Sequence, residues 1–308
     1  MQSLLLATAL AVMVTWSARV QAAGEQTFAT PQEAVQALKA AAQQHDTNAL
    51  RAIFGPDGRD LVSPDAVQAT EGYNRFVQRL TDKTELVNLP TNSAPGLQLK
   101  IGTDGWPFPI PLVQANGQWF FDTDAGRQEI LARRIGMDEL GAIDVCNAYV
   151  QAQREYAGQD RLGDGVLAYA QFLRSTSGTH DGLFWPATTN EELSPLGPLV
   201  ARARVEGYHH TATMLNDELA PYHGYYFKIL TRQGKHAPGG KYNYLINGHL
   251  LAGFALVAWP AEWGNTGLMT FIVNQQGKVF QKNLGPKTVK LAAMLTSYDP
   301  DDTWTPAE

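Results

Sequence analysis

An α+β chain in two parts is what this sequence predicts. Three observations carry the prediction. Helix-capping signals recur in the first eighty residues, and short strand-and-turn patterns follow them to about residue 126. A helix-period stripe then runs from Asp138 to Ala157. Last, the stretch from Tyr222 to Thr288 holds three apolar runs, Tyr225–Leu230, Leu250–Trp259 and Leu268–Val273, and a more polar fourth, Lys278–Leu284. Glycine-rich turns separate these runs, which is the grammar of an antiparallel meander. The predicted division is a targeting segment at 1–23, a helix-plus-curved-sheet domain at 24–130, and a helix-plus-sheet domain at 136–308.

The first elements are argued from their ends. Leu4–Val14 is a short apolar segment, and Val20-Gln21-Ala22 places small residues at the −3 and −1 positions of a cleavage site. The segment is too short to span a bilayer, although no Lys or Arg precedes it. A cleaved signal leads to the periplasm or the exterior, with no transmembrane anchor left behind. Thr30 and Glu33 form a capping box with Pro31 at the first helical position. Ala34, Leu38 and Ala41 continue one face to about Gln44. A second helix follows Asp46, and Gly55-Pro56-Asp57-Gly58 ends it. Ser63-Pro64 starts a third, reaching about Leu80.

Strands are expected at 85–89, 97–101, 111–114 and 118–122, the last two joined by Asn116-Gly117, a tight-hairpin signal. Gly126–Gly136, with Arg127, Arg133 and Arg134, reads as a basic connector. Val145, Tyr149, Ala152 and Tyr156 then repeat at spacings of four, three and four. Val166–Leu173 is expected as a shorter helix and Ser175–Arg204 as a loop-rich wrap. Thr288–Tyr298 is expected as a final helix, and Asp299–Glu308 as a loose tail.

Composition excludes some functions. With 24 Lys+Arg against 30 Asp+Glu and no basic run, nucleic-acid binding has no electrostatic footprint. Hydrophobic residues make up 44% of the 308, enough for a buried core. Cys146 is the only cysteine, so no intramolecular disulfide forms, and a buried thiol is the expected state.

Chemistry is harder to place. Asp160 and Asp164, with Gly165, fit positions 1, 5 and 6 of a calcium loop, but Leu162 fails at position 3 and Gln171 at position 12. A turn between two elements uses the same residues equally well. Calcium is the one metal weighed, and no other cofactor is expected. Of seven histidines, the densest group is His209-His210, Asp217, Glu218 and His223. Adjacent histidines point apart, which makes a shared metal hard to build. His180-Asp181 offers a base beside a carboxylate, or simply an Asp-Gly turn. No G-x-S-x-G or S-x-x-K motif occurs. The Gly234–Lys241 loop lacks the phosphate-loop spacing, yet Lys235 and Lys241 give it basic tips for an anionic glycan or headgroup. The loop Trp259–Gly267 is the most unusual. Trp259 and Trp263 flank Glu262, either as a stacking platform for a sugar or apolar ligand, or as core cap and loop pin.

Two resemblances are visible. Three short helices before a curved sheet, opening on TPQEAVQAL, resemble the nuclear-transport-factor-like cone over roughly 28–126, a fold that often encloses a pocket. The strings QREYA at 153–157, DRLGDGVLAYAQ at 160–171, DGLFWPA at 181–187 and SPLGPLVARA at 194–203 are similar to an uncharacterised bacterial family. So are PYHGYYFKILTRQG and GFALVAWPAEWGNTGLMTFIVNQQGKVFQKNLGPKT. The family is catalogued as a domain of unknown function, number twenty-nine fifty. The resemblance covers essentially the whole mature chain and implies a secreted protein of Gram-negative-type bacteria. It carries no catalytic residues. The order helix, Gly224–Phe227, Ala258–Pro260, Phe271–Gly277 also resembles pilin headgroups, but the helix is internal. The expected function is a non-catalytic envelope protein that binds a protein or glycan partner. The alternative is a small-molecule or glycan binder, or a hydrolase, with its pocket beside Trp259–Gly267.

Overall fold

The computed structural model describes residues 24–89, 96–186, 193–208 and 221–307. The expected targeting segment at 1–23 lies outside them, as do His209, His210, Asp217 and Glu218. The fold is α+β, with six α-helices and several sheets among the described residues. The chain divides into two compact units. One comprises residues up to Arg59 together with Phe76–Arg127; the other comprises Asp60–Arg75 and Gln128–Glu308.

In the first unit, α1 (Pro31–Gln43) begins where Thr30 Oγ1 accepts the Glu33 amide at 3.2 Å. Glu33 reaches back to the Ala29 amide. Its apolar stripe, Ala34, Val35, Leu38, Ala41 and Ala42, is buried. Asp46 caps α2 (Thr47–Phe54) through the Asn48 and Ala49 amides. Then α3 (Ala66–Asp82), whose residues up to Arg75 belong to the second unit, leads into β1 (Thr84–Asn88), β2 (Gly96–Ile101), β3 (Trp106–Pro107), β4 (Leu112–Ala115) and β5 (Gln118–Phe121). These five strands form one antiparallel sheet, ordered β1-β2-β4-β5 with β3 on β2. Asn116 and Gly117 both take positive φ, 51° and 78°, as a two-residue hairpin turn requires. Phe54, Phe76, Phe108 and Phe121 meet ring to ring in this unit's core.

Next, α4 spans Thr123–Tyr156, 34 residues. The connector expected at 126–136 is therefore helical. Asp122 supplies the start by accepting the Ala125 amide, and Glu129 pairs with Arg133 one turn on. The basic residues belong to this helix: Arg127 and Arg133 are half-buried and Arg134 is buried.

The second unit adds β6 (Phe172–Arg174) parallel to β7 (Gly182–Phe184), then α5 (Gly197–Val205). The helix expected at 166–173 does not form. Gln153, fully buried on α4, takes both backbone groups of Ala170: Nε2 donates to its carbonyl and Oε1 accepts its amide, each at 2.9 Å. The Tyr169 amide meanwhile donates to Leu250. The loop-rich wrap expected at 175–204 accordingly includes β7 and most of α5.

The meander follows: β8 (Tyr225–Leu230), the short pair β9 (Arg232–Gln233) and β10 (Tyr242–Asn243), the short pair β11 (Leu245–Ile246) and β12 (His249–Leu250), then β13 (Ala255–Pro260), β14 (Met269–Asn274) and β15 (Phe280–Asn283). After α6 (Thr288–Ala293) the chain returns as β16 (Thr305–Pro306). The five-stranded sheet is antiparallel, ordered β16-β15-β14-β13-β8. Both its faces are covered. Leu256, Ala258, Phe271 and Val273 pack with Cys146, Tyr149 and Val150 of α4. Ala255, Val257, Trp259 and Ile272 face the other way, onto Tyr244, Leu250, Ala292 and Tyr298. That is the period-2 alternation of a strand buried on both sides.

Two expectations for the C-terminus fail. The last helix is six residues long, and the tail is tied down. Thr305 and Pro306 pair with Gln281 and Phe280, Ala307 N–H donates to Val279, and the buried Tyr298 exchanges backbone hydrogen bonds with Arg232 and Gly234. No helix among the described residues is long and apolar enough to cross a membrane.

Candidate functional site

A stripe of α4 builds the site. Counting back from Val145 at helical spacing gives Gly141, Asp138 and Arg134. The stripe that is apolar further along thus begins with two charged residues, and both are buried: Arg134 is 7% exposed and Asp138 fully enclosed. Burying a charge is costly unless it is paired. Arg134 is paired: Nη2 donates to the Leu61 carbonyl at 2.7 Å and Nη1 to Asn265 Oδ1. Asp138 is only half satisfied. Its Oδ1 accepts Gln68 Nε2 at 2.7 Å, and its Oδ2 has no hydrogen-bond partner. Burial is the main reason its carboxyl is pushed up to about 7, with the nearby Asp65 charge adding to the rise and the Gln68 bond opposing it.

Asp65 comes from the start of α3. The sequence pointed to Ser63-Pro64, but Asp65 is the cap: its Oδ1 accepts the Val67 and Gln68 amides at 3.0 and 3.2 Å. Its Oδ2 accepts the Tyr208 hydroxyl at 2.8 Å and lies 3.4 Å from the Gly224 amide. Ser63 donates to Gln68 Oε1, which fixes the amide so that its NH2 group faces Asp138.

His223 and Gly224 form a tight turn. Tyr222 and Tyr225 exchange both backbone hydrogen bonds across it, and the two central residues have φ of 47° and 69°. Histidine tolerates the left-handed region better than most residues, and glycine tolerates it freely. The turn sends His223 outward to Glu206 and lays the Gly224 backbone on Asp138. His223 Nε2 is 3.0 Å from Glu206 Oε2, and Nδ1 is 3.5 Å from the Gln68 NH2 group. Because Gln68 presents a donor there, Nδ1 is the acceptor and Nε2–H donates to Glu206. Tyr222 donates to the same carboxylate oxygen at 3.1 Å. Burial pushes the Tyr222 phenol up to about 12, with the Glu206 charge reinforcing it. The Tyr208, Tyr222 and His223 rings pack against one another. Chemically, the cluster holds a carboxyl that exchanges its proton near neutrality beside a histidine–glutamate pair. Among the described residues no group of three or more His, Cys, Asp or Glu is placed to hold a metal ion.

The other residues singled out from the sequence fall in four places. Trp259 is 2% exposed and packs into the sheet core beside Tyr226. Trp263 donates its Nε1–H to Asn283 Oδ1 at 2.9 Å, and Glu262 is exposed, accepting Asn265 Nδ2 at 2.8 Å. Through Asn265 this loop joins Arg134, and its Thr266 packs on Gly224 beside Asp138. The loop therefore borders the cluster. Lys235 and Lys241 are exposed in the β9–β10 connection, which Asp299 pins through the His236 amide and ring. Asp160 accepts the Gly163, Asp164 and Gly165 amides, led by the Gly165 bond in holding its carboxyl below the usual range. Asp164 accepts the Val166 amide and approaches His249 at 3.5 Å. His180 stacks on Trp185, and Asp181 is engaged by Thr176 and Thr179.

Sequence reasoning passed over Asp65, Gln68, Arg134, Asp138, Glu206, Tyr208 and Tyr222. One signal was there to be used: charged residues at 134 and 138 continue the apolar face of Val145, Tyr149, Ala152 and Tyr156.

A family model described as "Protein of unknown function (DUF2950)" matches residues 25–307. No curated protein and no solved structure matches the chain.

Proposed function

For this chain, which belongs to the DUF2950 family, we propose the role of an exported, non-catalytic envelope protein that binds a partner protein through the rim of the Asp138 cluster. One observation carries the reading. Large apolar side chains stand exposed at the chain neighbours of the cluster's residues: Val62 (58%) follows Leu61, Met137 (65%) precedes Asp138, Leu140 (61%) precedes Gly141, and Val205 (90%) precedes Glu206. Exposed apolar side chains interspersed with polar ones are the usual composition of a binding surface. The apolar segment at Leu4–Val14 supports export.

Site-specific photocross-linking in cells tests the binding. Cross-linkers at Met137 and Leu140 give a discrete adduct, and one at Lys241 does not. Adducts at none of these positions, or equally at all three, refute the reading. Export is tested separately: the envelope-fraction protein begins near residue 24, and an uncleaved cytoplasmic chain refutes it.

A second reading is favoured by the Trp259–Gly267 loop bordering the cluster through Asn265 and Thr266. It makes that loop the wall of a small-molecule or glycan site. Glycan titration monitored by Trp263 fluorescence tests it against a Trp263→Phe control, and an unchanged signal excludes it.

A further inference from the structure

The geometry points to a proton-controlled latch, in which a protonated Asp138 clamps the start of α3 and the His223-Gly224 turn onto α4, and loss of the proton loosens both. The inference is independent of any partner, because the latch lies within one unit of the free protein.

Three packing facts carry it. Asp138 is fully enclosed, and its Oδ2 has no hydrogen-bond partner. A Cβ placed on Gly224 would lie 2.7 Å from that oxygen, so the turn's backbone rests on the carboxyl itself. The other oxygen is held by Gln68 from α3. One side chain of α4 thus touches both segments, and an ionised carboxylate there lacks the donors it needs.

The surrounding charges are mostly of the wrong sign for an ionised Asp138. Asp65 faces it from α3 and Glu139 from α4, with Arg134 as the opposing cation. His223 lies beyond Gln68 with Glu206 behind it, and the Tyr225 hydroxyl comes from β8. Thr266 packs on Gly224 from the β13–β14 loop. The carboxyl is raised above its ordinary value of 3.8 to about 7. When the latch opens, Asp138 meets water and returns toward that ordinary value. The closed form therefore holds the proton more tightly. Closure is fully favoured below about pH 4, weakens as pH rises toward 7, and is constant above it.

The test is native-state hydrogen exchange on the full chain, with rates normalised for intrinsic exchange. Protection at the Gly224, Val67 and Gln68 amides falls between pH 5 and 7, by up to about tenfold per pH unit, and then levels off. In Asp138→Asn it stays flat over the same range. Parallel profiles in the two proteins overturn the latch. If Asp138→Asn does not fold, carboxyl-carbon NMR of the wild-type protein decides. A midpoint near neutrality that moves down in Asp65→Asn supports the latch, and a midpoint in the ordinary carboxylate range overturns it.

Discussion

Gly224 and Asp138 approach each other so closely that no side chain fits between them. A Cβ on Gly224 would stand 2.7 Å from Asp138 Oδ2 and equally close to Thr266 Cβ, at a φ of 69° that side chains disfavour. Gly224→Ala is expected to destabilise the protein by roughly 2–4 kcal/mol, through left-handed strain and overpacking together. Urea unfolding checks this. A loss under about 0.5 kcal/mol would show that the turn does not rest on the carboxyl.

Tyr208 supplies the hydroxyl that satisfies Asp65 Oδ2, and Asp65 is 5% exposed. Tyr208→Phe keeps the ring stack with Tyr222 and removes the hydroxyl, which donates to Asp65 and meets the His223 backbone. The expected cost is roughly 1–3 kcal/mol, because a buried carboxylate loses a partner. Thermal unfolding at pH 7 measures it. No change in Tm would mean that the Gly224 amide and the helix cap satisfy Asp65 alone.

Gln153→Leu preserves apolar volume and orphans both backbone groups of Ala170. The expected loss is roughly 2–4 kcal/mol. Limited proteolysis should cut between 166 and 174 faster than in the wild type. Unchanged cleavage there would show that the Tyr169–Leu250 pairing holds the segment without Gln153.

Cys146 is fully enclosed, and burial pushes its thiol up to about 12. At pH 8 the native protein should react with a thiol reagent only at its unfolding rate, since thiolate and access are both lacking. Rapid labelling without denaturant would contradict the packing of α4 on the sheet.

Locally encoded features were legible in the sequence. Thr30 with Glu33, Asp46, and Asn116-Gly117 each fix an element through neighbours within four residues. The meander was legible too, because strands buried on both faces are apolar throughout. Distant partners hid the rest. Val166–Leu173 has helical spacing, but Gln153 and Leu250 take its backbone. The 126–136 segment looked like a linker because Gly126 and Gly136 punctuate it. Gly126 is instead required where Ile110 leaves no room for a Cβ. Asp138 is marked in the sequence only by its place on the apolar stripe of α4. Its meaning comes from Gln68, seventy positions earlier, and from Gly224, eighty-six later.

The outer side of β15 is covered by Thr305 and Pro306, the last strand of the sheet in chain order. Synthesis proceeds from the N-terminus, so β8, β13, β14 and β15 all leave the ribosome before the strand that covers them. Until β16 emerges, β15 is a bare edge, open to pairing with another chain. A chain cut back before Thr305 keeps every other strand of this sheet and leaves that edge unguarded.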